Sequence, residues 1–142
     1  MSAVVVVGAL STGFMVGVVW FCQVVHYPLF ASVGEEGFTR YHARHSTRVS
    51  WLILLPWLAE LVCATWLVLE RPANVSPWLA VAGALLAFAT VALTALVQGP
   101  AHTRLAGGFD ADGIRSLVRG NGPRTLVWTA HAVVFGAMLL GL

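Results

Sequence analysis

The sequence predicts an all-α fold: an integral membrane four-helix bundle built from two helical hairpins repeated in parallel. Three observations carry that prediction. Hydrophobic residues make up 58% of the chain and charged residues 10%, far from the balance of an ordinary water-soluble domain. Four apolar runs can be drawn, about Ala3 to Val25, Trp51 to Leu69, Trp78 to Val97 and Leu126 to Leu142, close to the roughly 20 residues that a spanning helix needs. Finally, the polar stretch FTRYHARHSTR, Phe38 to Arg48, falls 76 positions before IRSLVRGNGPR, Ile114 to Arg124, and each lies just ahead of an apolar run.

The first run has only Met1 and Ser2 ahead of it, with no basic segment, and no small-residue cleavage site interrupts it before Val25. It is expected to be a retained helix rather than a removed signal peptide. His26 ends it, with Gln23 one turn earlier. Glu35-Glu36-Gly37 then offers acidic groups to a helix start. Next comes the polar stretch, in which His42 and His45 are three apart and so share a face if helical.

The second run carries Pro56 and Glu60. An ionisable side chain near mid-membrane costs on the order of 2.5–3.5 kcal/mol on insertion scales and is expected to face the bundle interior. Glu60 lies 18 residues after His42, five whole turns, so the two share a face if the helix is continuous. Pro56 removes the hydrogen bond to the Leu52 carbonyl and is expected to bend the helix.

The third run contains Gly83 and Ala87, a small-xxx-small spacing suited to a close helix contact and hence to a homodimer. It leads into Gln98-Gly99-Pro100, expected to break the helix and free the Leu96 carbonyl, and then into His102. Asp110-Ala111-Asp112-Gly113 repeats the acidic and glycine pattern of the first loop. The fourth run is short unless it begins close to Arg124. There Asn121, Arg124, Trp128 and His131 follow spacings of three, four and three, which return to one helical face.

At the offset of 76, His26 falls on His102, Leu29 on Leu105, Gly37 on Gly113 and Arg48 on Arg124. The matches occupy corresponding places: helix end, loop glycine, and the residue ahead of a span. The chain is therefore read as one transmembrane domain over 1–142, with hairpin repeats of about 1–72 and 76–142 and His26 and His102 as symmetry mates. Chance and shared membrane-edge composition are the competing explanation.

All eight basic residues are arginines, and only Arg71 lies in the short connection after the second run. By the positive-inside rule the two longer loops face the cytoplasm and both termini face outward, as expected in a bacterial inner membrane. Cys22 and Cys63 fall at depths too different for a disulfide. A net charge of +2 is too small and too localised to point to a nucleic-acid partner.

The five histidines fall in one half of this topology. Imidazole is a common ligand of zinc, copper and iron, and facing helices of a bundle are a known way to bring such ligands together. Two histidines on different helices can also clamp a haem. The plainer alternative is an interfacial or hydrogen-bonding role for each ring. The candidate metal ligands are His26, His42, His45 and His102, with His26 and His102 as the symmetric pair. The candidate catalytic side chains are Glu60, His131 and Arg124. Gln23, Gln98, Asn121 and Arg48 are the candidates for holding a cofactor or substrate. For Arg48 and Arg124, at matching places before their spans, snorkelling to lipid phosphates is the plainer role.

HYPLF, YHARH followed by Arg48, Gln98-Gly99-Pro100-Ala101-His102 and Asn121-Gly122-Pro123-Arg124-Thr125 with Trp128 resemble a group of small bacterial four-helix membrane proteins of unknown function. The second hairpin, through VQGPAHTRL and NGPRT, more faintly resembles the anthrone-oxygenase-like membrane family. That family carries a Pro-x-x-x-Leu element after helix three and an Asn-x-x-Arg-Thr element before helix four. The resemblance implies a compact bundle acting with oxygen on a hydrophobic, even aromatic, molecule, although the histidine-rich first hairpin departs from the family pattern.

Three functions follow as expectations. The leading one is a membrane oxidoreductase with a His-ligated transition metal or haem, taking a small hydrophobic substrate from the lipid bilayer. The second is a small proton- or ion-coupled transporter using Glu60. The third is a structural or assembly subunit of a membrane complex.

Overall fold

The computed structural model describes residues 2–142, which form an all-α bundle of four helical rods, each long and apolar enough to cross a membrane. The first rod is α1 (Ala3–Phe21), continued by a π-helical turn (Cys22–His26) and a 3₁₀ turn (Pro28–Ser32). The second is α2 (Glu35–Leu69). The third is α3 (Pro77–Leu93), a second π-helical turn (Thr94–Gln98) and α4 (Gly99–Ala106). The fourth is α5 (Ala111–Leu140).

The rods are longer than the apolar runs. The polar stretches ahead of the second and fourth runs are not loops but the first turns of α2 and α5, so the two long loops expected from the arginines reduce to Val33–Gly34 and Gly107–Asp110. The side chains explain this. His42 and His45, and Asn121 and Arg124, sit on the inward face and are buried, while Arg40, Arg44 and Arg48, and Arg115 and Arg119, face out. Hydropathy averaged along the chain misses a helix whose polar groups are sorted by face. At 30 residues α5 is about 45 Å long, enough for the hydrocarbon core and both headgroup layers.

The first and third rods each pack between the second and fourth, and so stand diagonally. Close approach of α1 to α5 depends on Gly8, where an added Cβ would come within 2.2 Å of the Phe135 ring. Turn chemistry agrees with the helix starts. Gly34, at φ 81°, supplies the left-handed step before α2 that a residue with a Cβ adopts at a cost. Asp110 caps α5, its carboxylate accepting the Gly113 N–H at 2.9 Å. That N–H, together with the adjacent Arg104 guanidinium, holds the Asp110 carboxyl below its ordinary pKa.

Three apolar clusters fill the interior. Val5, Leu67, Phe135 and Met138 close the end that holds both termini. Met15, Val19 and Trp128 lie in the middle. Tyr27, Phe30, Phe38, Leu105 and Leu117 close the opposite end. Outside, Leu55, Leu85, Leu96 and Val133 are at least 67% exposed; with no aqueous reason to be there, this belt faces lipid.

Two expectations are corrected. Gly99-Pro100 does not break the third rod: the π-helical turn immediately before it carries the Gly99 N–H to the Thr94 carbonyl, and the wider turn absorbs the proline. Gly83 and Ala87 do not present a dimer face. Both are buried within the chain, and a Cβ on Gly83 would meet Met138 at 3.4 Å and Val134 at 3.7 Å. Cys22 and Cys63 are free thiols in different clusters.

Candidate functional site

Four histidines from three rods converge just inside the aromatic cap at the end opposite the termini. His26 comes from the first π-helical turn, His42 and His45 from successive turns of α2, and His102 from α4. Their rings pair through hydrogen bonds: His26 Nε2 lies 2.7 Å from His45 Nδ1, and His42 Nε2 lies 3.1 Å from His102 Nδ1. In each pair one ring donates its N–H to the bare nitrogen of the other, the tautomers setting the direction. The pairs adjoin, with ring centroids 5.7 Å apart between His45 and His102 and 6.4 Å between His42 and His45.

The expected symmetric pair, His26 with His102, is not the pair that forms. The first and third rods are diagonal, and α2 passes between them, so each of its histidines takes a ring from one neighbour. Tyr27, which follows His26 in sequence, reaches across instead, its hydroxyl 3.3 Å from His102 Nε2. Phe30 turns its edge to His26, His42 and His45 and Phe38 stacks on His42. These aromatics hold the imidazoles in place. Sequence reasoning passed over Tyr27 and Phe30, although HYPLF contains both. Among the described residues, no three His, Cys, Asp or Glu side chains stand around one point as metal ligands in these rotamers; the arrangement is two pairs.

Three cavities border the cluster, one of them, of about 290 Å³, between α2 and α4 beside His42 and His102. A groove of about 540 Å³ opens between α1 and α2, lined by His26, His45 and Tyr41 with the exposed Arg44 and Arg48 at its rim. A smaller, partly open cavity of about 200 Å³ reaches into the interior among the rods, lined by Tyr27, His45, Gln98, His102 and Arg124. Val18, Cys22, His45 and Val49 line both this cavity and the groove.

Arg48 and Arg124, matched in sequence, differ in surroundings. Arg48 is exposed, as a snorkelling arginine should be, whereas Arg124 is 7% exposed, faces the interior cavity, and lies over the Trp128 ring at 5.4 Å. The snorkelling role expected for Arg124 is therefore corrected. Gln98 is buried against the same cavity with neither amide atom hydrogen-bonded. Gln23 and Asn121 turn elsewhere: Asn121 donates to Gln23 Oε1 at 2.9 Å, and Gln23 donates to the Val118 carbonyl at 3.2 Å. They tie the first rod to the fourth rather than orienting an imidazole.

Deeper in the bundle Glu60, His131 and Thr12 are wholly buried. Trp128 Nε1 donates to Glu60 Oε1 at 2.8 Å, and Glu60 Oε2 lies 3.9 Å from His131 Nδ1. Both ring nitrogens of His131 and the second Glu60 oxygen lack a hydrogen-bond partner. The inward stripe Asn121, Arg124, Trp128, His131 thus runs from the level of the histidine cluster to mid-bundle, and α2, unbroken through Pro56, keeps His42 and Glu60 both buried.

No family model, curated protein or solved structure matches the chain.

Proposed function

We propose that the protein is a membrane-embedded oxidoreductase in which His26, His42, His45 and His102 hold one transition-metal ion beside a lipid-facing groove. The observation that carries this reading is the convergence of four imidazoles from three rods. Ligand rings at about 2.0–2.1 Å from one ion have centroids about 5 Å apart, and four of the six ring pairs here fall between 4.6 and 6.4 Å. Metal binding on this reading requires the paired imidazoles to turn about their χ angles so that their nitrogens face one centre. Nitrogens 2.7 and 3.1 Å apart are closer than the roughly 4 Å between two axial ligands of one haem iron, so the pairs favour a bare iron, copper or zinc ion over haem.

Such an ion, if iron or copper, would supply electron exchange with dioxygen or with the substrate. The chain's own residues do the rest. The groove between α1 and α2 admits a small hydrophobic molecule from lipid. Tyr27 fixes the His102 ring, Gln98 and Arg124 bind the substrate's polar end, and the Glu60–His131 pair stores a proton. The faint resemblance to the anthrone-oxygenase-like family points the same way, toward oxidation of a hydrophobic aromatic substrate. The resemblance to small bacterial membrane proteins supports a bacterial inner-membrane location, and the arginine bias supports an orientation with this end of the bundle cytoplasmic. Loss of bound metal together with activity in His45→Ala and His102→Ala is the expected result. Retention of both in either variant overturns the assignment.

A second reading rests on an observation of its own, the wholly buried Glu60–His131 pair, and makes the protein a proton-coupled transporter. It predicts pH-driven flux in liposomes that Glu60→Gln abolishes and that metal removal leaves intact.

A further inference from the structure

We infer that the interior cavity is an anion site that takes the anionic oxygen head, a carboxylate or phenolate with an adjacent hydroxyl, of an otherwise apolar substrate. Arg124 is its counter-ion and Gln98 its hydrogen-bond partner. The inference deepens the oxidoreductase reading by naming the substrate class, and it rests on that reading for the chemistry; the binding itself needs no metal.

Seven of the eight arginines are exposed, and Arg124 is the exception. Its Nε has no partner, and it takes part in none of the ion pairs among the described residues. Removing a charge from water costs several kcal/mol unless an opposite charge and hydrogen bonds meet it. The Trp128 ring beneath the guanidinium offsets part of this cost but is not a counter-ion. A metal ion held by neutral imidazoles across the same cavity would add positive charge and strengthen the demand for an anion.

The other polar atoms on the cavity define the ligand further. Gln98 offers an unpartnered N–H donor and an unpartnered carbonyl acceptor, and Ser46 and Thr94 add hydroxyls that have no partner either. An anion without a proton to donate, such as a phosphodiester, would leave the Gln98 carbonyl unmet. A hydroxy-substituted carboxylate or phenolate meets both atoms. Its apolar body has a way out, because the cavity and the lipid-facing groove adjoin across Val18, Cys22, His45 and Val49. Such a molecule would be presented with its ring against His45.

The test is calorimetric titration of tag-free, chelator-treated protein in detergent with salicylate, with benzyl alcohol and with inorganic phosphate. Saturable salicylate binding is expected, weakened at least about tenfold by Arg124→Gln and partly retained in Arg124→Lys, with no saturation by benzyl alcohol; phosphate binding as tight as salicylate binding would overturn the substrate class. Circular dichroism and melting confirm that each variant is folded; if Arg124→Gln is not, Gln98→Leu takes its place with the same expected loss. Absence of saturable salicylate binding overturns the site, as does wild-type affinity in a folded Arg124→Gln. Mass spectrometry of the purified protein covers the other source of an anionic oxygen. Stoichiometric phospholipid that is lost in Arg124→Gln would make the occupant a lipid headgroup and overturn the substrate assignment. Because these titrations are metal-free, their failure is separate from failure of the metal centre, which metal content decides.

Discussion

Glu60 and Arg124 are both buried charged-type residues, but the interior treats them differently. Glu60 has a donor in Trp128 at 2.8 Å and a neighbour in His131, whereas Arg124 has an aromatic face and a cavity. Replacing Glu60 with Leu strands the indole N–H in an apolar interior, a loss of about 1–3 kcal/mol, while Glu60→Gln keeps the acceptor and stays close to wild type. Thermal unfolding in detergent distinguishes the two; equal melting of both variants would show that the hydrogen bond is not made. At Gly8 the α1–α5 contact leaves no room for a Cβ, so Gly8→Ala is expected to destabilise by about 1–3 kcal/mol. The inward stripe of α5 was legible in the sequence because spacings of three, four and three project to one face. The unequal fates of Arg48 and Arg124 were not, because burial depends on which rods flank each position. Arg48 faces the open groove between α1 and α2, and Arg124 faces the middle of the bundle.

Among the elements, the two π-helical turns position the histidines. Each inserts one residue into an α-helical register, with Tyr27 N–H bonded to the Cys22 carbonyl and Gly99 N–H to the Thr94 carbonyl. Because the extra residue is taken up within the turn, deleting Ala95, an exposed residue of the second turn, restores ordinary α-helix and leaves His102 facing the cluster. Deleting Ala101 in α4, beyond the turn, instead rotates His102 by about 100° and carries it out. Helix content by circular dichroism should be unchanged in both, with metal binding lost only on deletion of Ala101; retained binding there would show that helix register does not set the ligand geometry. No spacing rule reveals these turns, and none reveals that the rods carrying His26 and His102 stand diagonally, which is why pairing the two by symmetry fails. The offset of 76 reappears in the starts of α2 at Glu35 and α5 at Ala111, but the π-helical turns begin 72 positions apart, at Cys22 and Thr94. At the start of α5, the Asp110 carboxyl is held below its ordinary pKa by the Gly113 N–H and then by Arg104. Its stabilising contribution is therefore complete above that value and disappears as pH falls through the depressed native one. Asp110→Asn should remove the difference in melting temperature between neutral and acid pH that this carboxylate contributes.

For the whole molecule, four apolar runs and an arginine bias were enough to give four membrane-capable helices, while their true lengths were hidden by polar residues sorted onto the inner face. That sorting builds the site: His42, His45, Gln98 and Arg124 are buried within the bundle, while His26, half-buried, lines the groove between α1 and α2. The central claim is that this cluster binds a metal. Elemental analysis of tag-free protein in detergent, wild type beside His45→Ala, tests it most directly. The account predicts near-stoichiometric iron, copper or zinc in the wild type and its loss in a folded His45→Ala. Wild-type protein that stays metal-free after incubation with each ion would contradict it.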